Sequence, residues 1–490
     1  MINLFEYQNK TSSIISKAKR NILLVGDMGI GKTVISIDSL VKSKINEALI
    51  ICPASLKYNW KKEIENYTSD FVIEIIDGKT SYTNSTYISL LKNANIIIIN
   101  YDILGVEDKE SVQKEKERIE YCRQMGYKFR HKFIGTKGWS EILSQFDFDY
   151  IIVDECQYIS NTKSIRGRSV KQICDNDVNA KKLFLSGTPF ETKLTQFYNS
   201  LNILRPEDFN SEYNFKFKFC NPVLKRGFWT FDGVSNKEEL QLLLDKFMIR
   251  IKKEDVLDLP DKQKIPIYID LKNSIKKYSD KEEELVHGNY QHQFTCLAEL
   301  KHILSEIKLK PTMQFIDDTL ETNEKLVVFV YSKFMYSELM NKYGSVAVGI
   351  NGETKSEARQ TIVDTFQKNK KIKLFIGQIK ASGVGITLTA SNVVVFAEWG
   401  QTVAQMEQAV DRIHRIGQNK NCLIYYLICE NTIDDVILER LNERSVGINT
   451  IINNTDDKMV NLDNAMIANV IKRRLPNGDS KISLEYKGTK

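Results

Sequence analysis

Residues 21–33 read NILLVGDMGIGKT, and this stretch decides the fold. Its beginning is a short apolar run, which is typical of a buried parallel strand. Residues 26–33 then match the pattern G-x-x-x-x-G-K-T, and residues 33–43, TVISIDSLVKS, have helical spacing. A strand, a glycine-rich turn and a helix in this order predict the first unit of a parallel α/β sheet.

The glycine-rich turn predicts a phosphate-binding loop. Gly26, Gly29 and Gly31 would let backbone N–H groups turn toward phosphate oxygens without a Cβ in the way. The helix that follows adds its positive N-terminal end. We expect Lys32 to neutralise charge on the β- and γ-phosphates and the Thr33 hydroxyl to bind Mg²⁺. The predicted cofactors are therefore ATP and Mg²⁺.

A second apolar run, YIIVDECQ at residues 150–157, ends in two adjacent carboxylates. In an open α/β sheet, ligands gather at the carboxyl ends of the strands. We expect Asp154 to hold Mg²⁺, directly or through water, and Glu155 to act as general base toward the attacking water. Adjacent acids are also common in loops, and it is their combination with the phosphate loop that favours the catalytic interpretation.

Two arginines far along the chain, in QAVDRIHRIGQ at residues 408–418, suit the same chemistry. A guanidinium stays charged and is rigid, so Arg412 and Arg415 are candidates for stabilising charge on a transferring phosphoryl group. Because they are three residues apart, a helix would place them on one face, where Gln408 and Asp411 could orient them. The alternative is a solvated basic helix face. The catalytic interpretation predicts a two-lobed motor that closes on ATP.

Composition places the chain among soluble globular proteins. It has 490 residues, enough for two or three domains, with 27% charged and 42% hydrophobic residues, which is ordinary. The net charge of +6 permits contact with a phosphate backbone but does not demonstrate it. No apolar run reaches the roughly 18–20 residues of a membrane span, and the start lacks an apolar signal segment. We expect a cytoplasmic protein of a bacterial or phage-infected cell, or a nuclear protein if the source is eukaryotic.

The eight cysteines are scattered and form no C-x-x-C pair, which predicts reduced thiols. His287, His292, Cys296 and His302 are near one another in sequence. Their spacing does not place them on one helix face, so we do not predict a metal site there.

Alternation of strands and helices predicts an α/β chain with two parallel-sheet lobes in tandem. The first lobe covers residues 1–205, with a charged, exposed helical insertion at about 105–145. Residues 206–310 lack this alternation and predict a mostly helical protrusion and linker. The second lobe covers 311–445 and carries the arginines. A polar tail covers 446–490, and its KRR at 472–474 is typical of a solvated face. The candidate strands lie at 21–26, 48–52, 95–100, 150–154, 182–186, 325–331, 346–350, 373–377, 392–397 and 422–428.

The order and spelling of the motifs resemble superfamily 2 helicases and, within them, the Swi/Snf-type double-stranded DNA translocases. After the phosphate loop, ICPASLKYNWKKEI at 51–64 and LSGTP at 185–189 are similar to first-lobe blocks of that family. FMIRIKKEDVLDLPDK at 247–262 is similar to a stretch peculiar to it, where the chain runs between the lobes.

The second lobe carries further blocks of the same family. INGETKSEARQTIVDTFQ at 350–367, SGVGITLTASNVVVFAEW at 382–399 and the arginine block are similar to its later motifs. The resemblance covers roughly residues 3–445 and implies two RecA-like lobes. The FAEW string at 396–399 and the compact size favour the annealing-helicase branch. We find no chromodomain-like, bromodomain-like, SANT-like or zinc module.

The resemblance also implies roles for individual residues. Gln8 matches an adenine-reading glutamine, and Gly385 matches a residue that faces the nucleotide from the second lobe. Blocks that touch or lie beside the DNA strand contain Lys57, Ser186, Thr188, Ser332 and Trp399. An ordinary structural role is the alternative for each of these five.

The sequence departs from the family pattern at three places. Gln157, which belongs with the nucleotide-binding residues, stands where the family usually has histidine, and this puts the coupling of hydrolysis to lobe movement in doubt. The phosphate loop begins Gly26–Asp27 where Asp-Glu is usual. Lys380 stands where arginine is frequent.

The expected function is a DNA-stimulated ATPase that translocates along double-stranded DNA, on duplex or branched substrates. Because backbone contacts carry little sequence information, we expect low sequence specificity and strong salt sensitivity. The alternatives are a strand-separating DNA or RNA helicase, an ATP-switched nucleic-acid-binding scaffold, and a motor subunit of a larger assembly. Replication, repair or recombination proteins are possible partners, and the sequence does not identify which. Strand separation would need a wedge element, and the sequence does not identify one.

Overall fold

The computed structural model describes residues 4–78, 85–127, 134–190, 193–225, 227–270, 275–322, 325–382, 385–436 and 462–474. These residues divide into two compact units, one up to Val256 and the other from Leu257 onward. Each unit is built on a parallel sheet with helices. The predicted fold class, α/β with two parallel-sheet lobes in tandem, is confirmed. None of the described helices is long and apolar enough to cross a membrane.

The sheet of the first unit has seven parallel strands. They are β1 (Ile22–Gly26), β2 (Ala48–Cys52), β3 (Ile73–Ile75), β4 (Ile96–Asn100), β7 (Tyr150–Asp154), β8 (Lys181–Ser186) and β11 (Met248–Ile251). Their order across the sheet is β11-β1-β8-β7-β2-β4-β3. Every residue of β1, β2, β4 and β7 is buried, as expected of parallel strands covered on both faces. The ends of β1 and β7 therefore meet at one edge of the sheet, on either side of β8.

The helices of the first unit follow the strands in sequence. They are α1 (Glu6–Lys17), α2 (Lys32–Ser43), α3 (Lys57–Tyr67), α4 (Ser85–Leu91), α5 (Lys109–Gln124), α6 (Trp139–Leu143), α7 (Ile165–Asn176), α8 (Tyr198–Leu204), α9 (Glu212–Phe219), α10 (Lys237–Leu244) and α11 (Lys253–Val256). Two antiparallel pairs stand apart from the sheet: β5 (Val106–Glu107) with β6 (Thr136–Lys137), and β9 (Val223–Lys225) with β10 (Phe228–Thr230). Helix α5 has no buried side chain.

The sheet of the second unit has six parallel strands. They are β12 (Lys262–Ile269), β13 (Leu326–Val330), β14 (Ala347–Ile350), β15 (Leu374–Gln378), β16 (Val393–Phe396) and β17 (Cys422–Cys429). Their order is β12-β17-β16-β13-β15-β14. The helices are α12 (Ile275–His287), α13 (Tyr290–Thr322), α14 (Lys333–Tyr343), α15 (Ser356–Lys368), α16 (Ile379–Ser382), α17 (Val403–Val410) and α18 (Leu462–Arg474).

The interval 206–310 also supplies an edge strand to each sheet, which the sequence analysis missed. Strand β11 pairs with β1, and β12 pairs with β17 along its whole length. An edge strand has one unpaired side and needs no continuous apolar run. Strand β12, with the sequence KQKIPIYI, contains two lysines and a proline. These residues are compatible with an edge strand, but they interrupt the apolar pattern by which a strand is recognised in sequence.

The tail also contains ordered structure. Met466, Ile467 and Val470 of α18 are buried. Arg473 and Arg474 both pair with Glu282 of α12, whose side chain is 3% exposed. The KRR sequence was expected to be a solvated face, and this expectation is wrong for its two arginines, because a buried carboxylate of α12 holds them.

Candidate nucleotide and nucleic-acid site

The phosphate loop joins β1 to α2. Gly29 and Gly31 have φ angles of 86° and 81°, in the left-handed region that glycine adopts without steric cost. The Nζ of Lys32 donates to the carbonyl of Gly26 at 2.6 Å and to that of Asp27 at 3.3 Å. Lys32 is buried. The loop therefore curls around its own ammonium group and concentrates positive charge at the start of α2.

Gln8 on α1 lies against this loop. Its side-chain amide donates to the carbonyl of Ile30 at 3.0 Å, and the Tyr7 hydroxyl donates to the same carbonyl at 2.7 Å. Its Oε1 accepts from the Phe5 N–H at 3.0 Å. A Cβ on Gly31 would lie 2.4 Å from the Nε2 of Gln8. The structure thus places Gln8 beside the nucleotide loop, and its contact with adenine stays a prediction.

The edge strand β11 holds the beginning of the same loop. The N–H of Asp27 donates to the carbonyl of Ile251 at 3.3 Å. The carboxylate of Asp27 accepts from the N–H of Lys253, the first residue of α11, at 2.8 Å. The acid that departs from the family's usual pair therefore connects the phosphate loop to residues 226 positions away in sequence.

Asp154 is buried at the end of β7. Its Oδ2 accepts from the indole N–H of Trp60 at 2.8 Å, and its carbonyl accepts from the Tyr101 hydroxyl at 2.5 Å. Burial, and then the charge of Glu155, raises the pKa of the Asp154 carboxyl, while Trp60 and Lys32 act in the opposite direction. A cation bound at this carboxylate would stabilise its ionised form.

The donor set fits a magnesium–nucleotide complex. Thr33 follows Lys32 in the first turn of α2, where the helix N-terminus attracts phosphate. Its hydroxyl and the Asp154 carboxylate are oxygen ligands of the kind that Mg²⁺ prefers. Both assignments stay predictions.

Glu155 turns the chain out of the sheet. Its φ of 53° is left-handed, and a short 3₁₀ helix, Cys156–Ile159, follows it. Its Oε2 accepts from the side-chain amide of Gln157 at 2.7 Å. The Oε1 of Gln157 accepts from the Ser186 hydroxyl at 2.7 Å, and the Ser186 Oγ accepts from the Thr188 N–H at 3.0 Å. One hydrogen-bonded series, the Glu155–Thr188 relay, therefore connects the predicted general base to the LSGTP block.

Lys57 and Thr188, two predicted nucleic-acid contacts, have local surroundings that differ. Lys57 is buried, and its ammonium donates to the Ile76 carbonyl at 3.0 Å and pairs with Asp77. This gives Lys57 a structural role in the first unit. The Thr188 hydroxyl is buried with no hydrogen-bond partner within the described ranges. Contact of either residue with nucleic acid stays a prediction.

The arginines of the second unit lie beyond a helix, not on one. Helix α17 ends at Val410, and residues 411–417 form turns. The Nε of Arg412 donates to the backbone carbonyl of Gln408 at 3.1 Å, and Arg412 is 3% exposed. The Nη1 of Arg415 donates to the carbonyl of Ile386 at 3.3 Å. The expectation that a helix places both arginines on one face is wrong, because the helix ends before the first of them.

The Gly385 block is adjacent to these arginines within the second unit. Gly385 has a φ of 77°, and Ile386 beside it accepts the bond from Arg415. The N–H of Leu388 donates to the Arg412 carbonyl at 2.8 Å. The backbone of residues 385–388 therefore contacts the arginine segment through one main-chain bond and one bond from the Arg415 side chain. Gly383 and Val384, in the same block, lie outside the described residues.

Ser332 and Trp399 belong to one buried network in the second unit. Glu398 accepts from the N–H and the hydroxyl of Ser332, at 2.7 and 2.8 Å, and Ser332 caps α14. The indole of Trp399 donates to Asp434 at 2.6 Å. Lys308 pairs with Asp434 at 2.5 Å, and both side chains are at most 2% exposed. A cavity of 350 Å³ opens beside this network. The nucleic-acid contacts predicted for Ser332 and Trp399 stay predictions.

Three potential metal ligands meet where sequence spacing had not predicted it. The ligand atoms of Glu284, His292 and Cys296 lie within 4.8 Å of one another. The sequence analysis compared only histidines and cysteines, whereas Glu284 comes from the neighbouring helix α12. Lys281 pairs with Glu284 at 2.5 Å, so the negative charge of the Glu284 carboxylate is already balanced by an ammonium group.

Residues 7–328 match the SNF2-related domain, and residues 307–417 match the helicase conserved C-terminal domain. The first match covers more than half of the chain. The chain belongs to the SNF2-related family. The resemblance noted from the motifs is thereby confirmed.

Relatives of this SNF2-related chain are longer proteins. It is 26% identical over 456 residues to SWI/SNF-related matrix-associated actin-dependent regulator of chromatin subfamily A-like protein 1 of Xenopus tropicalis, covering 90% of this chain and 44% of that protein. It is 27% identical over 475 residues to human DNA annealing helicase and endonuclease ZRANB3, covering 91% and 40%. The chain therefore spans less than half the length of these two relatives. The Sulfolobus solfataricus SWI2/SNF2 ATPase core in complex with dsDNA is 25% identical, covers 93% of this chain and 94% of that one, and has a TM-score of 0.42.

Sequence reasoning missed several supporting residues of the SNF2-related site. Trp60 and Tyr101 contact Asp154, and Lys253 contacts Asp27. Trp60 lies in the block ICPASLKYNWKKEI, so the motif comparison could have identified it as a candidate contact of the acidic pair. The bond from Lys253 has no sequence signal, because its donor is a backbone N–H.

Proposed function

We propose that this chain is a DNA-stimulated ATPase that couples ATP hydrolysis to translocation along double-stranded DNA. The observation that carries the proposal is the Glu155–Thr188 relay. It joins the predicted general base, beside the phosphate loop, to a block predicted to lie at the DNA strand. Hydrolysis and DNA contact would therefore share one set of hydrogen bonds in the first unit.

The nucleotide end of the site would work through charge and position. Lys32 and the first turn of α2 would hold the phosphates, and Thr33 and Asp154 would hold Mg²⁺. The bound ion would withdraw charge from the phosphate oxygens. Glu155 would orient and deprotonate the attacking water, since its carboxylate is fixed by Gln157 at one oxygen.

The relay gives a physical route from DNA to hydrolysis. Gln157 uses its amide N–H₂ toward Glu155 and its carbonyl toward Ser186, so one side chain serves as donor and acceptor. A shift of Ser186 on DNA binding would change the orientation of the Glu155 carboxylate. Gln157 can thus connect Glu155 to Ser186 at the position where the family usually has histidine. Substitution of Gln157 tests whether this connection couples DNA binding to hydrolysis.

The arginine segment would complete the reaction. We assign Arg412 and Arg415 to the charge that develops on the transferring phosphoryl group. Gly385 would set the conformation of the segment that holds them. The name of one relative includes DNA annealing helicase, which supports duplex or branched DNA as the substrate.

The experiment is a steady-state ATPase assay on the full chain without nucleic acid and with duplex DNA, single-stranded DNA, forked DNA or RNA. A large rise with duplex DNA, falling as salt increases, is expected. A triplex-displacement assay on the same duplex would then report movement. Stimulation by single strands or RNA alone would contradict the proposal in favour of a strand-separating helicase, and no stimulation by any of them would favour an ATP-switched scaffold.

A further inference from the structure

An aromatic hairpin projects from the first unit. Strands β9 and β10 pair antiparallel, with Phe228 opposite Lys225 and Trp229 opposite Leu224. Only residues 226 and 227 join them, and Gly227 has a φ of 83°, as a tight hairpin turn requires. The hairpin is therefore narrow, and Leu224, Phe228 and Trp229 lie within two residues of the turn.

The apolar side chains of this hairpin face solvent. Phe228 is 79% exposed, Leu224 is 57% exposed and Trp229 is 50% exposed. Successive residues of a strand point to opposite faces. Trp229 leans on Phe217 of α9, with ring centroids 5.1 Å apart, so Phe228 projects from the opposite face. Exposed apolar surface concentrated in this way marks a binding site more often than scattered single residues do.

The base of the hairpin is firmly held. The N–H of Ser235 donates to the Phe219 carbonyl at 2.8 Å, and its hydroxyl donates to the Lys218 carbonyl at 2.8 Å. The amide of Asn236 donates to the same Lys218 carbonyl at 2.7 Å. The N–H of Asn221 donates to the Ser235 hydroxyl at 3.1 Å. Because both chain ends of the hairpin are tied to α9, force applied at its tip would pass into the first unit.

The hairpin itself, residues 223–230, carries two basic residues and no acidic one. Residues 213–231 contain no acidic residue and four basic ones: Lys216, Lys218, Lys225 and Arg226. The first two pair with Glu212 and Glu239, at 2.6 and 2.5 Å. Lys225 is exposed on the hairpin beside Phe228. Arg226 lies outside the described residues. A cation next to an exposed ring suits a polyanion that also presents aromatic surfaces.

We propose that this hairpin is a base-stacking wedge, whose Phe228 stacks on the bases exposed where a DNA duplex branches into single strands. This inference rests on the proposed function, since it adds a branch-specific contact to a duplex motor. Every base has a π face, so stacking on Phe228 would be independent of sequence. Lys225 would contact the neighbouring phosphate.

The test compares substitutions at Phe228 in the full chain. Phe228→Ala removes the ring, Phe228→Leu keeps apolar volume without a π face, and Phe228→Tyr keeps the ring. Tyr121→Ala is the matched control, since Tyr121 on α5 is an aromatic residue that is 55% exposed and lies outside the hairpin. The substrates are a blunt duplex and a fork of the same sequence with 2-aminopurine at the first unpaired position.

Two quantities are measured: the ratio of fork affinity to duplex affinity, and the 2-aminopurine fluorescence on binding. We expect the wild type, Phe228→Tyr and Tyr121→Ala to prefer the fork and to change the 2-aminopurine signal. We expect Phe228→Ala and Phe228→Leu to lower the affinity ratio by about 10-fold or more, since each stacked base contributes on that scale.

The outcomes separate this proposal from the proposed function. A ratio in Phe228→Ala within about twofold of the wild type would overturn the wedge. Full retention of the ratio by Phe228→Leu would also overturn it, because base stacking needs a π face and leucine has none. Absence of any duplex stimulation of the wild-type ATPase would instead refute the motor. Because Phe228 is mostly exposed, its loss should leave the melting temperature unchanged, and this is checked for each variant.

Discussion

The two units hold their predicted catalytic groups in different ways. In the first unit, side chains bond to one another: Gln157 donates to Glu155 and accepts from Ser186. In the second unit, Arg412 and Arg415 donate to backbone carbonyls of their own unit. A side-chain network fails when one member loses a donor or an acceptor. A main-chain scaffold fails when the backbone changes conformation.

Loss of the phosphate-loop cation should reduce activity more than any other substitution. Lys32→Ala should reduce ATP turnover to background, because the substitution removes the cation that meets the phosphates. DNA binding, measured by fluorescence anisotropy, should be largely retained. The exposed Lys10→Ala is the control and should turn over ATP normally. Joint loss of DNA binding and of the folded circular-dichroism spectrum would indicate misfolding and not a catalytic defect.

In the second unit, the shape of the Arg415 guanidinium can be tested separately from its charge. Arg415→Lys keeps the charge but loses the rigid fork. We expect kcat on duplex DNA to fall by about 10³, with ATP affinity changed far less, as measured with a fluorescent nucleotide. Lys420→Ala, at a nearby exposed residue, should behave as the wild type. A normal kcat for Arg415→Lys would remove Arg415 from the reaction.

Because backbone groups contact the arginines, the backbone conformation at Gly385 should affect their position. Gly385→Ala places a Cβ at a φ of 77°, which L-residues adopt at a cost of about 1 kcal/mol or more. Turnover should fall by about 10-fold with ATP affinity intact. Gly126→Ala has a similar φ of 69° with open space around it, and it should have no effect on turnover. Equal turnover by the two variants would show that the backbone conformation at Gly385 does not position the arginines.

Loss of the Gln157 side-chain bonds should have a milder effect than the other substitutions. Gln157→Leu removes both bonds of the relay at similar volume. We expect the stimulation of ATPase by duplex DNA to fall by about fivefold to 10-fold, in line with losing one hydrogen bond to a carboxylate and one to a hydroxyl. Gln157→His, which restores the residue usual in the family, should retain most of the stimulation. If Gln157→Leu is stimulated as well as the wild type, the relay does not couple DNA to hydrolysis.

Central strands and chemical motifs could be predicted from the sequence because each is local. Candidate strands at 48–52 and 150–154 agree with β2 and β7, since parallel strands buried on both faces are continuous apolar runs. The phosphate loop follows from eight consecutive residues. The sequence also placed Asp154 and Glu155 at the end of a strand, where the structure has them.

Interactions between distant segments could not be predicted in the same way. Strand β11 carries an arginine and has only partial burial, so nothing local distinguishes it from a loop. The bond between Asp27 and Lys253 joins two segments through a backbone N–H. The arginine segment was assigned to a helix from its three-residue spacing, but spacing alone does not locate the end of a helix at Val410.

The Lys308–Asp434 pair has a consequence for the alignment of the long helix α13. This helix spans 33 residues, and a long apolar face could slide by one turn along its neighbours at little energetic cost. A slide would separate the buried Lys308 ammonium from the buried Asp434 carboxylate, at a cost of about 3–5 kcal/mol. The ion pair therefore favours a single alignment of the helix. In this alignment the Lys308 ammonium lies 4.6 Å from the ring centroid of Trp399. The pair therefore also keeps the Trp399 indole in a single position.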